Sequence, residues 1–376
     1  MEPKEQSRLL GIFLGQALEN YRTKNNIKQK DLAELLNVDE RTLRRWEKGQ
    51  IPQNVIELKR IADALGMDYE SLGISPAVYI PRTLEQIDED IKQAWNYIKQ
   101  ARYTEGRIFV DQLVRDVTLQ ITKEDPLSLH RLALVRQVAG HMTSEASRTD
   151  SVFAAYQHYH EMEEIARILN DHTLLNIALT YEGDMLRRKG DIPQAVGYLE
   201  AARDITPQAD AETRGNSYQL LARAYLAYGN MDGFERAMSE AERLSDVTLA
   251  TGSINGYYSL GAVYEEYGKD YGWRGETEKG MKYIDLATKH LPSTPHWDIV
   301  LKTAQAMALV RGGYFSEGGQ LAIEAAYLCH QTGNKRMLER VYSIQRYLQE
   351  VSYEVRQIND PLREALNGPF GSLEQL

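Results

Sequence analysis

Apolar residues recur every three to four positions along most of the chain, in segments separated by short polar breaks. This period indicates amphipathic helices rather than strands. Near the N-terminus such segments cover approximately residues 9–24, 29–36, 40–48 and 54–65. Asp39 is placed to cap the third helix, and Gly49 and Gly66 are placed to end the third and fourth. The pattern predicts a small helical bundle.

The helical pattern is interrupted at residues 73–81, where Pro76 and Pro81 flank a β-biased run. Proline disfavours the helical conformation in the residue before it, so this segment is expected to be an extended connector.

Helical segments resume at about residue 82 and repeat. Equivalent small residues stand at Gly183, Ala222, Gly261 and Ala306. Their spacing resembles the tetratricopeptide pattern, although it is longer than the usual period of about 34 residues. We therefore expect paired helices that stack into a solenoid, with helices or turns that are somewhat extended. The units are clearest over residues 176–292, and weaker units appear around residues 94–113 and 132–168.

The charge is distributed unevenly between these regions. The formal net charge is −10, yet residues 1–75 contain 12 basic and 12 acidic side chains. The acidity therefore belongs to the remainder of the chain, which should repel nucleic acid. Residues 22–48 are locally basic, with eight Lys or Arg against five Asp or Glu. Any contact with DNA has to come from such a local patch.

The segment IKQKDLAELLNVDERTLRRWEKG, residues 27–49, closely resembles the phage-repressor-like helix-turn-helix of the XRE type. The likeness extends over about residues 9–72. The positions that agree are Gln29, Leu32, Ala33, Leu36, Val38, Leu43, Trp46, Glu47 and Gly49. The resemblance implies that the third helix is a recognition helix for the major groove of DNA.

The same resemblance implies roles for single residues. The positions that match base-contacting residues of the family are Glu40, Arg41, Arg44 and Arg45. Those expected to contact phosphate are Lys28, Gln29 and Lys48. Arginine pairs with guanine O6 and N7, and glutamate accepts from cytosine N4. The alternative is that these charges only solvate a surface helix whose inner face carries Leu43 and Trp46.

The concave face of a helical solenoid is lined mainly by the first helix of each pair, and it suits an extended peptide. Residues expected to bind such an effector are Asn176, Arg187, Asn216, Arg223, Asn255 and Tyr258. Asn216 and Asn255 fall at the same repeat position, and an asparagine side chain can pair with a peptide bond. The alternative is that each asparagine caps its own helix.

The order of these regions resembles that of the RRNPP peptide-pheromone receptors. It implies a cytoplasmic, homodimeric transcription regulator whose affinity for double-stranded DNA is changed by a short peptide. The expected architecture is all-α: a five-helix-type helix-turn-helix domain at 1–72, a linker at 73–83, a tetratricopeptide-like α-solenoid at 84–350 and a C-terminal helix or tail at 351–376. The alternatives are repeats that bind a protein partner or a small molecule, and phosphatase-like control of a response regulator.

Other chemistry finds little support in the sequence. No apolar run approaches the roughly 20 residues of a membrane helix, and the single cysteine fits a reducing compartment. Gly268-Lys269-Asp270 lacks the remaining residues of a phosphate-binding loop. His160 and Glu164 stand one helical turn apart, but no second pair completes a metal site. We therefore expect no enzyme activity, no cofactor and no metal.

Overall fold

The computed structural model describes residues 3–36, 38–50, 55–67, 82–121, 125–148, 152–247 and 252–366. Within these residues there are 17 helices and no strand, so the predicted all-α fold is confirmed. The chain divides into two compact units, Met1–Pro81 and Arg82–Leu376. The predicted linker at 73–83 lies outside the described residues except for its last two positions.

The first unit contains the four helices expected from the apolar pattern. Their bounds are α1 Pro3–Asn25, α2 Gln29–Leu35, α3 Glu40–Glu47 and α4 Val55–Leu65. The residues that follow position 67, where a fifth helix would begin, are outside the described part of the chain.

A single small apolar core joins these four helices. Its fully or nearly fully buried members are Leu14, Leu18, Leu32, Ala33, Leu36, Leu43, Trp46, Leu58, Ile61 and Ala62. Helix α1 approaches the end of α3 so closely that a Cβ atom on Gly11 would lie 2.0 Å from the carbonyl oxygen of Gly49. Glycine is therefore required on α1 at this contact.

Local hydrogen bonds set the ends of α2 and α3. The Asp39 carboxylate accepts from the backbone N–H of Thr42 at 2.8 Å, as expected for an N-cap. Gly49 follows α3 with a left-handed φ of 87°. At the start of α2 the backbone N–H of Lys28 donates to the Asp31 carboxylate at 3.0 Å, which compensates for the absence of a Ser or Thr cap.

The second unit contains the remaining helices. Their bounds are α5 Leu84–Lys99, α6 Tyr103–Gln120, α7 Pro126–Ala146, α8 Phe153–Leu169, α9 His172–Lys189, α10 Ile192–Ile205, α11 Ala211–Tyr228, α12 Met231–Val247, α13 Leu260–Trp273, α14 Thr277–His290, α15 Pro295–Arg311, α16 Phe315–Thr332 and α17 Lys335–Leu366. Among the described residues, no helix combines the length and the apolar character needed to cross a membrane.

Consecutive helices of this unit pack against each other in pairs, from α5 with α6 to α15 with α16. Each of the repeat units expected from the sequence corresponds to one of these pairs. Small residues lie where the paired helices meet: a Cβ atom on Gly183 of α9 would lie 2.7 Å from Cγ of Leu199 on α10. The close approach of the two helices explains the small residue at this position.

Helix α17 closes the second unit and is 32 residues long. The boundary predicted at position 350 falls inside this helix, because residues 345–355 contain no glycine or proline that would end it. Ile344 is buried against α15 and α16, whereas residues 352–364 are exposed. The second half of α17 therefore projects from the repeat core.

Candidate DNA-contacting helix and interior cavity

Helix α3 has an apolar inner face and a charged outer face. Leu43 and Trp46, three residues apart, are buried in the core of the first unit. Arg41, Arg44 and Arg45 are exposed on the opposite side of the helix. The core thus holds the helix in place through two side chains and leaves its arginines available for an external partner.

A chain of polar contacts links the outer face of α3 to its neighbours. Arg44 donates to the carboxylate of Glu40 and to the side-chain oxygen of Gln29, both at 3.2 Å. The amide nitrogen of Gln29 in turn donates to Glu47. Glu47 also accepts from Arg22 of α1 at 3.2 Å. Side chains from α1, α2 and α3 therefore fix the position of Gln29 and Arg44.

The remaining predicted contact residues are held less tightly. Arg45 donates to the side chain of Gln50 at 2.7 Å. No polar partner within the described residues is found for Arg41, and Lys28 and Lys48 are exposed. The structure thus brings Glu40, Gln29 and Arg44 into one connected group and leaves the charge of Arg41 fully available.

The Asp39 carboxylate faces the start of α3 rather than the exposed arginines. The backbone N–H of Thr42, followed by its hydroxyl group, lowers the pKa of Asp39. The negative charge of Asp39 therefore stabilises the N-terminus of α3, which is the positive end of the helix dipole.

Comparison with protein families decides the nature of this unit. The helix-turn-helix family profile matches residues 18–72. Residues 18–72 form a helix-turn-helix domain. In this domain α2 and α3 are the two helices of the motif, and the exposed arginines belong to the second.

Three solved structures resemble the chain over most of its length. Bacillus thuringiensis PlcR in complex with the peptide PapR7 and DNA is 13% identical, with 90% of this chain and 98% of that chain covered and a TM-score of 0.35. The apo form of the competence regulator ComR from Streptococcus vestibularis is 12% identical, with 82% of this chain and 99% of that chain covered and a TM-score of 0.31. ComR from S. thermophilus in complex with DNA and its signalling peptide ComS is 11% identical, with 88% of this chain and 97% of that chain covered and a TM-score of 0.26. A comparison with the curated proteins found no match.

The second unit contains a cavity of about 1090 Å³ on the side formed by the first helices of the pairs and by α17. Eight basic and three acidic side chains line it. They are Arg148, Arg187, Arg188, Arg223, Lys269, Arg336, Arg340, Arg346, Glu266, Asp270 and Glu339. A smaller pocket of about 50 Å³ shares Arg223, Arg336 and Arg340 with this cavity. The inside of an acidic repeat unit is thus lined by an excess of basic groups.

Ion pairs between distant parts of the chain hold the arginines of the cavity. Arg336 lies 2.7 Å from the buried carboxylate of Glu145, and Arg223 lies 2.6 Å from that of Glu266. Burial acts to raise the pKa of Glu145, but Arg336, His296 and Arg188 together lower this pKa to about 2. Burial also lowers the pKa of Lys269 to about 8. Burial acts to raise the pKa of Glu266 as well, but Arg223 and Lys269 lower it to about 2. The carboxylates of Glu145 and Glu266 therefore remain charged at neutral pH and compensate the arginines.

Half of the predicted effector residues line this interior. Arg187 and Arg223 border the larger cavity. Asn216 borders the smaller pocket and donates to the hydroxyl oxygen of Tyr181 at 3.2 Å. These three side chains therefore lie where a ligand inside the solenoid would meet them.

The other three predicted effector residues lie elsewhere. Asn176 is fully buried and donates to the carbonyl oxygen of Ala202 and to Thr206, so it joins α9 to α10. Tyr258 is 4% exposed and donates to the carbonyl oxygen of Ala241 at 2.5 Å, so it is a packing residue.

The expected equivalence of Asn255 with Asn216 is not present in the structure. Asn216 lies within α11, whereas Asn255 lies in the turn before α13 with a left-handed φ of 55°. Gly256 is also left-handed, and Ser259 caps α13 by accepting from the backbone N–H of Ala262. Because of these turns α13 begins only at Leu260, so Asn255 precedes the helix instead of lying on it.

Arg336 and Arg340 are further cavity residues, not predicted from the sequence, which stand one turn apart on α17 and face the cavity. Their spacing places them on the same face of the helix as Ser343, and this is the only local signal. Their acidic partners come from α7 and α13, with Glu145 at a distance of 191 residues along the chain from Arg336. A sequence pattern within one helical segment cannot indicate an ion pair between residues so far apart in the chain.

Proposed function

We propose that the chain is a cytoplasmic, sequence-specific transcription regulator whose repeat unit binds a short signalling peptide that changes its affinity for DNA. The observation that carries the DNA-binding half is the outer face of α3 in a helix-turn-helix domain. Arg41, Arg44 and Arg45 are exposed there over a buried Leu43 and Trp46. Arginine on a helix in the major groove pairs with guanine in two hydrogen bonds.

The peptide-binding half rests on the chemistry of the interior cavity. Its basic side chains outnumber its acidic ones, and such an excess favours a ligand with a carboxylate. Two buried atoms without a hydrogen-bond partner among the described residues are Oε1 of Gln219 and Nη1 of Arg340, the latter only ion-paired with Glu265 over 3.7 Å. A short peptide offers a terminal carboxylate together with backbone donors and acceptors for these groups.

The homodimer is supported by the exposed half of α17. Val351, Val355, Ile358 and Leu362 follow a spacing of four, three and four residues, and the last three are 58%, 70% and 54% exposed. An apolar stripe of this period packs well against a second helix. Two-fold dimers of helix-turn-helix proteins contact two half-sites on DNA, so a second copy is the partner that we assign to this stripe.

The DNA-binding half is tested by selection of binding sites from random double-stranded DNA, followed by anisotropy titrations. The wild-type protein should enrich a two-fold symmetric sequence, and Arg41→Ala should lose this enrichment. Arg203→Ala is the matched control, because Arg203 is a surface arginine of the repeat unit paired with Asp204. Equal enrichment by wild type and Arg41→Ala would place the DNA contact elsewhere.

The effector half is tested by mass spectrometry of small species that copurify with the protein from its native cell. A peptide should be retained by wild type and by Asn255→Gly, and it should be lost from Asn216→Ala. Asn255→Gly is a suitable control because glycine tolerates the left-handed φ of this position. Recovery of a metabolite or of a protein in place of the peptide would favour the alternative effector classes.

The dimer is tested by sedimentation of the purified protein. The double variant Val355→Lys/Ile358→Lys should sediment as a monomer at concentrations where wild type is a dimer. Tyr353→Lys changes an exposed residue on the other side of the same helix and should remain dimeric. A double variant that stays dimeric would exclude the stripe as the interface.

A further inference from the structure

Three side chains with metal-binding atoms converge between α8 and α9. His160 and Glu163 stand one turn apart on α8, and Glu182 comes from α9. One ligand atom of each lies within 4.8 Å of the others. Nδ1 of His160 is 3.0 Å from Oε1 of Glu182 and 3.6 Å from Oε2 of Glu163. The three atoms therefore surround one point between the helices.

The state of Glu182 points to a ligand at this place. Its side chain is 0% exposed, and its Oε2 atom has no hydrogen-bond partner among the described residues. A buried carboxylate oxygen without a partner is costly. Two carboxyl groups in this arrangement need either a shared proton or a cation.

Arg167 neutralises only one of the two carboxylates. Its guanidinium pairs with Oε1 of Glu163 at 2.5 Å, so Oε2 of Glu163 remains directed to His160. With both glutamates ionised, Arg167 compensates one carboxylate and leaves one negative charge beside the imidazole. One imidazole nitrogen and two carboxylates form a ligand set that Zn²⁺ and Mn²⁺ accept, with water at the remaining positions.

We propose that His160, Glu163 and Glu182 bind one divalent transition-metal ion, which fastens α8 to α9. Helix α9 also carries Arg187 on the wall of the interior cavity. The ion would therefore hold in place a helix that the effector contacts. The ligand set itself does not include any residue of the proposed DNA-binding or effector-binding sites.

The proposed ligand set differs from the pair considered from the sequence. His160 was considered together with Glu164, which is exposed and outside the cluster. The neighbouring His158 instead contacts Arg136, with Nδ1 at 3.3 Å from the guanidinium. The decisive third residue, Glu182, lies on the next helix, so a motif search within one helix does not find it.

The test is calorimetric titration of tag-free full-length protein with MnCl₂ and with ZnCl₂. Wild type should bind one ion per chain at this site, and Glu182→Gln should weaken that affinity by about tenfold or more, since even outer-shell partners contribute about 10–100-fold. Glu164→Gln is the matched control on α8 and should bind like wild type. Bound metal should also raise the unfolding temperature of wild type but not of Glu182→Gln.

His160→Ala provides a second variant if the buried Glu182→Gln substitution prevents folding, because the His160 side chain is 51% exposed. It should lose the same binding event. If wild type binds neither ion, the carboxyl groups only share a proton and the proposal is wrong. It is equally wrong if His160→Ala and folded Glu182→Gln bind as tightly as wild type, because the ion would then occupy another site.

Discussion

Arginine occupies two opposite environments in the two units of the chain. On α3 of the first unit, Arg41, Arg44 and Arg45 lie on an exposed face. Inside the second unit, Arg223 and Arg336 are matched by carboxylates that are almost completely buried. Exposed arginines retain their water until a partner binds, whereas interior ones are compensated by the fold itself. Loss of an arginine should therefore affect binding in the first unit and folding in the second.

The largest effect is expected for Arg336→Met. This change leaves the buried carboxylate of Glu145 without its cationic partner, with only the hydrogen bond from Asn334 at 3.2 Å. It should lower the free energy of unfolding of the repeat unit by about 3–5 kcal/mol. Urea denaturation followed by circular dichroism measures this loss. The double variant Arg336→Met/Glu145→Gln should recover part of it, because the uncompensated charge is then removed.

A surface pair of the same unit supplies the control for this prediction. Arg243 and Glu240 lie one turn apart on α12 and are largely exposed. Arg243→Ala should change the stability by less than about 1 kcal/mol, since exposed ion pairs contribute little. If Arg243→Ala and Arg336→Met were equally destabilising, the contrast between interior and exposed arginines would not hold.

A second difference concerns the glycines at helix contacts. An added Cβ on Gly11 would meet a backbone oxygen, whereas one on Gly183 would meet the side chain of Leu199. Backbone cannot move aside as a side chain can, so Gly11→Ala should destabilise its unit by about 1–3 kcal/mol or more. Gly183→Ala should cost less, because the side chain of Leu199 can shift, whereas the helix-favouring effect of alanine, about 0.5–1 kcal/mol, is common to both variants. Thermal unfolding of each variant compares the two, and the reverse order would contradict this packing argument.

Within the first unit, the contrast between base and phosphate contacts can be sharpened. Arg41→Ala should weaken binding to the selected site by about 1–3 kcal/mol and relax the preference at one base pair. Lys48→Ala should weaken binding to all sequences and reduce the salt dependence by about one unit of slope. Titrations over a range of salt concentrations separate these outcomes. Identical profiles for the two variants would show that α3 does not distinguish bases through Arg41.

The smallest effect is expected at the cap of α3. Because the folded-state pKa of Asp39 is lowered from 3.8, its contribution to stability is present above that pH and is lost as the pH falls through the folded-state pKa. Amide hydrogen exchange of α3 in wild type and Asp39→Ala should therefore differ most near neutral pH and converge in acid. A difference that grew in acid would contradict the assigned role of this carboxylate.

The features that sequence analysis predicted depend on neighbouring residues. The cap at Asp39, the buried Leu43 and Trp46 and the end of the helix at Gly49 are all set within one short segment. The helix pairs of the repeat unit follow in the same way from the period of their small residues, since Gly183 and Leu199 belong to one hairpin. Local sequence carries enough information for such contacts.

The features that could not be predicted from the sequence depend on residues far apart in the chain. Arg336 is recognisable as a cavity residue only when α17 is placed beside α7, which carries Glu145. The repeat spacing predicts that Asn255 is equivalent to Asn216, but two consecutive left-handed residues, Asn255 and Gly256, delay the start of α13. The contacts of Lys28, Gln29, Lys48 and the α3 side chains with DNA stay predictions until a complex is measured.

Helix α17 has a mechanical consequence that follows from its length. Arg336 and Arg340 at its beginning border the cavity, while Ile358 near its end belongs to the exposed stripe. The stretch from Lys335 to Asp360 measures about 39 Å at 1.5 Å per residue. A tilt of about one degree at the cavity end displaces the far end by about 0.7 Å. A ligand in the cavity that tilted α17 would therefore displace the far end of the helix, outside the repeat core, more than the end that borders the cavity.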